Sequence, residues 1–289
     1  MKKKKTLFLI ILLIGAAIFG VYGGKTKIRE SSEASKEGIV LAPVISAEGA
    51  ILVNAEDGRT IYEKNADERL YPASTTKIMT ALVALETLDE IKGTLQSKIK
   101  VPKEAIGIEG SSVYLKEGEM VTAEELLYGL MLQSGNDAAE CIALSFGPTE
   151  EEFVKNMNQK AKTLGCRNTN FINPSGLCEE NHYTTARDLA MISMAAMERD
   201  DFRRIVGTED WSSASGRNFH NKNKTVSQYE DATGIKIGYT KTSGRTLVAS
   251  AKRDGVELIA VVLKDPDWFQ DAYSLLDYGF ARIHQGGKE

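Results

Sequence analysis

The feature that most limits what this chain can fold into is where its strand-like runs fall. They lie towards both ends, and the stretch between them reads as helix. Ala50-Ile51-Leu52-Val53 and Arg59-Thr60-Ile61-Tyr62 flank Glu56-Asp57-Gly58, the pattern of a hairpin around an Asp-Gly turn. Gly234–Tyr239 alternates like a strand, and Leu247–Lys252 and Glu257–Leu263 flank Arg253-Asp254-Gly255, a second hairpin. Between them, helices are expected from Ser74 to about Leu88, over Ala123–Met131, over Asp137–Phe146, from about Glu150 to Leu164 and from Thr185 to Glu198. In the first, Ile78, Leu82 and Leu85 fall at i, i+4 and i+7, one buried stripe. Trp268–Ile283 reads as an amphipathic terminal helix. One sheet must therefore be assembled from both ends of the chain. This predicts an α+β domain, an antiparallel sheet flanked by helices with an all-helical lobe.

The N-terminus reads as an address. Lys2, Lys3, Lys4 and Lys5 precede an apolar run from Leu7 to Tyr22, the n-region and h-region of an export signal. The lysines stay on the cytoplasmic side while the rest crosses. No Ala-x-Ala follows, Val21-Tyr22-Gly23 is the best cleavage candidate, and the run is near the minimum of about 17 residues for spanning a bilayer. Residues 1–24 are read as a signal peptide or an N-terminal membrane anchor, the anchor being preferred. Residues 25–45 are a polar linker and residues 46–285 the folded domain. The expected location is the outer face of the membrane, anchored or secreted.

Charge excludes one class of partner. Residues 1–30 carry +6 and the whole chain −4, so the remainder carries −10. An acidic body without a basic run argues against nucleic acid. Cys141, Cys166 and Cys178 include no C-x-x-C pair, which excludes a zinc site of Cys pairs. Cys166 and Cys178 either pair in an oxidising compartment or stay as free, mostly buried thiols.

Absent motifs narrow the chemistry. There is no His-Glu-x-x-His, no Gly-x-Ser-x-Gly and no Walker A sequence, and only three histidines, His182, His220 and His284. No metal or cofactor is expected. What remains is a serine served by a lysine. Ser74 follows Pro72-Ala73 at a helix start, and Lys77, three residues on, shares its face. A buried lysine beside other cations loses its proton and becomes a base. The competing reading of Ser74 is a helix-capping serine. Ser97-Lys98-Ile99-Lys100 has the same spacing, but it lies in a polar β-like stretch without a helix mouth. Ser134-Gly135-Asn136 is the single Ser-x-Asn, at a break between two helices, where a hydroxyl can relay a proton and an amide can hold a carbonyl. Its competing reading is an ordinary turn and cap. Lys236-Ile237-Gly238 puts a lysine in an otherwise apolar strand, able to attract a carboxylate or simply to guard a sheet edge.

Together, in this order, the three elements match the Ser-x-x-Lys, Ser-Asp-Asn and Lys-Thr-Gly set that is the signature of penicillin-binding proteins and class A β-lactamases, with Gly135 and Ile237 at the middle positions of the last two. Tyr71-Pro72-Ala73-Ser74-Thr75-Thr76-Lys77, Leu132-Gln133-Ser134-Gly135-Asn136-Asp137, Asn173-Pro174-Ser175-Gly176, His182-Tyr183-Thr184-Thr185-Ala186-Arg187-Asp188 and Gly234-Ile235-Lys236-Ile237-Gly238-Tyr239 extend the match. The chain resembles the serine-type D-alanyl-D-alanine carboxypeptidases, the low-molecular-mass penicillin-binding proteins of peptidase family S11. The resemblance implies the β-lactamase/transpeptidase-like fold and makes residues 46–285 the catalytic domain. It implies that Ser74 forms the acyl-enzyme, Lys77 takes its proton and Ser134 relays a proton to the leaving D-alanine. Asn136 would bind the substrate amide and Lys236 its carboxylate. The strand at Gly238 and Tyr239 would line the substrate, with the backbone N–H groups of Ser74 and Tyr239 as the oxyanion hole. The implied partners are a peptidoglycan pentapeptide ending in D-Ala-D-Ala, β-lactams as inhibitors, and the membrane through the N-terminal segment.

Two departures stand out. Position 237 is Ile where the family usually has Thr, a lost hydroxyl worth about 1.5–3 kcal/mol toward a charged group. Thr240 and Arg245 are the nearby candidates to compensate. Ser175 stands where many relatives have His. Many relatives also continue into a small β-rich domain and a C-terminal amphipathic anchor, which makes an N-terminal anchor the expected replacement. Two alternatives remain open: a β-lactamase-like hydrolase, for which no Glu-x-x-Leu-Asn supplies a second base, and a catalytically weak penicillin-binding or sensing homologue, which Ile237 favours.

Overall fold

A computed structural model describes residues 40–286. The expected leader, and the linker up to residue 39, lie outside the described residues. Among the described residues no helix is long and apolar enough to cross a membrane. Contact with the domain begins one residue before the expected boundary, because Ile45 is buried and its carbonyl accepts from Lys64 Nζ.

The sheet is built from both ends of the chain. Strands β1 (Gly49–Asn54), β2 (Thr60–Lys64), β7 (Ala232–Thr240), β8 (Gly244–Arg253) and β9 (Val256–Leu263) form one antiparallel sheet in the order β2-β1-β9-β8-β7. The hairpin at Asp254-Gly255 is closed by two residues with φ of +50° and +84°, the type I′ geometry that Asp-Gly favours. Central strands are apolar on both faces because both faces are covered. Leu52, Ala249, Ala260 and Val262 face helix α8 (Trp268–Gly286), which brings Leu275, Leu276 and Phe280. Ile51, Val53, Val248, Ile259 and Val261 face the helical lobe.

That lobe contains α1 (Lys77–Glu90), α2 (Ala123–Leu132), α3 (Asn136–Phe146), α4 (Glu150–Thr163), α5 (Ala186–Met197) and α6 (Asp200–Val206). Thr122, Thr149 and Thr185 cap α2, α4 and α5 by accepting from the N–H three residues on, at 3.0, 3.2 and 3.0 Å. The stripe expected on α1 is a correction. Every residue from Lys77 to Leu85 is buried, because α1 runs through the centre of the lobe with other helices on all sides.

Two small hairpins are also present, β3 (Lys98–Lys100) with β4 (Met120–Thr122) and β5 (Asp210–Ser212) with β6 (Asn218–His220); the β-like reading of Ser97–Lys100 anticipates β3, whereas β4, β5, β6, α6 and α7 (Thr225–Gln228) have no signal in the sequence pattern. The rival Ser97–Lys100 motif lies in β3 with both lysines exposed. The cysteines are free thiols. Cys178 Sγ lies 3.0 Å from Thr240 Oγ1 and Cys166 Sγ points at the Asp188 carbonyl, so the two do not pair.

Candidate active site

The nucleophile turn sits where the lobe meets the sheet. Ala73–Thr76 form a single 3₁₀ turn, and α1 begins at Lys77. Ala73 is held at φ +48°, a conformation that costs a non-glycine residue roughly 1–3 kcal/mol and persists only where its surroundings impose it. They do so here. The Pro72 carbonyl accepts from Thr75 Oγ1 at 2.7 Å and from Thr246 Oγ1 of β8 at 3.0 Å. Gly176, at φ +84°, lies so close that any side chain would overlap the Ala73 carbonyl. Gly238 of β7 closes the other side, for a Cβ there would lie 2.8 Å from the Ser74 nitrogen.

Lys77 is fully buried and has three polar neighbours. Its Nζ lies 3.1 Å from Ser74 Oγ, 2.7 Å from Asn136 Oδ1 and 2.5 Å from the Ser175 carbonyl. Burial first, and then the charge of Lys236, push its pKa well below the ordinary lysine value, while Asp137 opposes them. The Ser175 contact explains how a serine can stand where many relatives have histidine. The backbone carbonyl meets Lys77, and the hydroxyl turns to Asn173 Oδ1 at 3.1 Å.

Ser134 and Asn136 come from the break between α2 and α3. Ser134 is buried at φ +63°, a left-handed residue that ends one helix just before the next begins. Asn136 Nδ2 donates to the Glu109 carbonyl at 2.5 Å, so its oxygen serves Lys77 and one N–H stays for a ligand. Asp137, expected only to favour a helix start, does more. Its carboxylate accepts from Ser112 Oγ and from the N–H groups of Val113 and Leu115 at 2.6, 3.0 and 3.1 Å, fixing the loop over Asn136.

Lys236 points inward from the edge strand β7 and is 1% exposed. Burial, with the charge of Lys222 behind it, lowers its pKa to about 7. Ile237 packs instead against the outer cluster beside α8. The two expected compensators are occupied, since Thr240 Oγ1 meets Ser243 Oγ at 2.8 Å as well as Cys178, and Arg245 Nη1 donates to the Pro266 carbonyl. Tyr239 exposes 62% of its surface, so only its backbone can face the nucleophile turn. Lys222 was not legible. It donates to the Gln133 carbonyl at 2.8 Å, beside Ser134, and adds a third lysine to the site. Only its place between Asn221 and Asn223, both buried, distinguishes it from other lysines.

Residues 36–267 match the family model described as D-alanyl-D-alanine carboxypeptidase, peptidase family S11. The chain belongs to this family. The D-alanyl-D-alanine carboxypeptidase DacF of Bacillus subtilis is 40% identical over 220 residues, which are 75% of this chain and 57% of that relative. Among solved structures, the Streptomyces DD-transpeptidase aligns with a TM-score of 0.77 at 34% identity, over 83% of this chain and 99% of that one. The carboxypeptidase DacD of Francisella tularensis aligns with a TM-score of 0.77 at 26% identity, over 88% and 76%. The α+β expectation therefore holds in its specific form: this family member has the DD-peptidase and transpeptidase fold.

Proposed function

We propose that the chain is an exported serine D-alanyl-D-alanine carboxypeptidase that removes the terminal D-alanine of peptidoglycan stem peptides through an acyl-enzyme on Ser74. One observation carries the reading: the surroundings of Lys77 Nζ. A neutral amine has two N–H donors and one lone pair. Asn136 Oδ1 and the Ser175 carbonyl can only accept, so they take the two hydrogens. The lone pair is left for the third neighbour, the Ser74 hydroxyl. Burial and Lys236 favour this neutral state.

The chemistry follows. Ser74 Oγ attacks the carbonyl between the two D-alanines while its proton passes to Lys77. The oxyanion forms beside Gly238, against the Ser74 N–H, with the Tyr239 N–H as second donor. As the C–N bond breaks, Ser134 relays a proton to the departing amine. Lys236, backed by Lys222, attracts the terminal carboxylate, and the remaining Asn136 N–H holds a substrate carbonyl. Water then hydrolyses the ester. No metal or cofactor enters. The N-terminal segment would hold the domain at the outer face of the membrane.

The test is release of D-alanine. Purified protein given a pentapeptide ending in D-Ala-D-Ala should release one D-alanine per peptide, blocked by a β-lactam and absent from Ser74→Ala. No release would remove the reading. Likeness to the Streptomyces DD-transpeptidase favours one second reading, transfer of the acyl group to an amine. A new amide product when an acceptor amine is added would show it.

A further inference from the structure

We propose that His182 is a positioning residue for acylation: through Thr76 it holds the turn that carries Ser74 and Lys77, an inference that rests on the acyl-enzyme reading. His182 is 1% exposed and its ring meets the nucleophile turn at Thr76. Its two nitrogens have different tasks. Nδ1 lies 3.2 Å from the backbone nitrogen of Ile172, which can only donate, so Nδ1 accepts. In a neutral ring the proton then sits on Nε2, which donates to Thr76 Oγ1 at 2.9 Å. Burial, and the nearby charge of Lys77, push the pKa down to about 4, so the ring stays neutral at the pH of growth and does not add a charge beside Lys77.

The place of the contact matters. Thr76 lies between Ser74 and Lys77. The turn is held by the close approach of Gly238 and Gly176 and by the Pro72 bonds. His182 supplies a further support at Thr76. The two residues that follow it are bridged to other segments, Tyr183 to Asn170 and Thr184 to Leu70, and its ring makes an edge-on contact with Phe171. A rigid segment thus reaches the nucleophile turn through one directed hydrogen bond.

The two nitrogens can be separated by mutation. Glutamine places an amide N–H near the position of Nε2 and keeps the bond to Thr76. Asparagine places an oxygen near Nδ1 and keeps only the bond from Ile172. Wild type, H182Q, H182N and H182A are compared for acylation by a labelled β-lactam, separating the binding constant from the acylation rate, with thermal stability measured in parallel. H182N and H182A are expected to acylate about ten-fold or more slowly with the binding constant unchanged, and H182Q within about three-fold of wild type. H182N and H182Q losing rate equally, rates following thermal stability, or a loss confined to the binding constant would each overturn the proposal while leaving the acyl-enzyme reading intact. A wild type that takes no label would end both.

Discussion

Replacing Gly238 with alanine tests how tightly the site is built. A Cβ at 238 would lie 2.8 Å from the Ser74 nitrogen, 2.5 Å from Thr246 Oγ1 and 3.1 Å from the Ala73 Cβ. Non-bonded carbon contacts normally begin at about 3.5 Å. The Ser74 backbone must therefore retreat by about 0.7 Å, or β7 must move away from it. A reacting group misplaced by about 1 Å can cost about 10²-fold in rate. G238A should thus acylate with a β-lactam about 10- to 100-fold more slowly, and overpacking should cost about 1–3 kcal/mol of stability. T246A in the same background relieves the Thr246 clash but also removes the bond to the Pro72 carbonyl and leaves the Ser74 clash in place, so G238A/T246A should not regain rate. Gly255→Ala is the control: nothing lies near its Cβ and φ is +84°, so it should lose stability alone. The assay is rapid-mixing acylation with thermal denaturation of the same samples. A G238A rate within about three-fold of wild type would refute the account of a nucleophile turn clamped against β7.

Other outcomes follow from the same geometry. The kcat/KM for a carboxylate-terminated peptide should be bell-shaped in pH, rising as Lys77 loses its proton and falling as Lys236 loses its own at about 7. A Lys236→Met variant should lack the falling limb. The same lowered value means that the unfolded chain binds more protons than the folded one above about pH 7, so Lys236 makes stability rise with pH there, measurable by denaturant titration. Arg203 holds the buried Glu257 with two bonds of 2.7 and 2.8 Å but is itself about a third exposed, so Arg203→Ala should cost about 1.5–3 kcal/mol in urea unfolding while acylation by the folded protein is unchanged. Ile237→Thr should leave β-lactam binding within about three-fold, because the side chain at 237 packs beside α8 and not in the cleft. A ten-fold tightening would place that hydroxyl on the carboxylate and refute this reading of the strand.

The sheet was legible because its strands are strongly apolar and bounded by Asp-Gly, and local turn chemistry fixes a hairpin without help from the rest of the chain. The long helices were legible from their apolar periodicity; the Thr caps at 122, 149 and 185 emerge only in the structure. The full burial of α1 was not, since periodicity shows which face is apolar but not how many neighbours surround the helix. At the site, Ser74, Lys77, Ser134, Asn136 and Lys236 stood out by residue type and order. What sequence could not supply were contacts made by backbone or across the fold: the Ser175 carbonyl on Lys77, the Glu109 carbonyl on Asn136, and Lys222 reaching Gln133. A carbonyl has no residue type, and Lys222 is one of many lysines until folding brings it beside Ser134. Ile237 was read as a lost hydroxyl in the cleft, whereas its side chain packs beside α8, a point that strand alternation with Lys236 already contained.

The central claim, that Ser74 is acylated with Lys77 as its base, is tested most directly by intact-protein mass spectrometry after exposure to a β-lactam. The account predicts a single adduct of the β-lactam's mass, mapped to the peptide containing Ser74, slow to release and absent from Ser74→Ala. It also predicts that Lys77→Met forms the adduct about 10²- to 10⁴-fold more slowly. No adduct, an adduct on another residue, or full-rate labelling of Lys77→Met would contradict it.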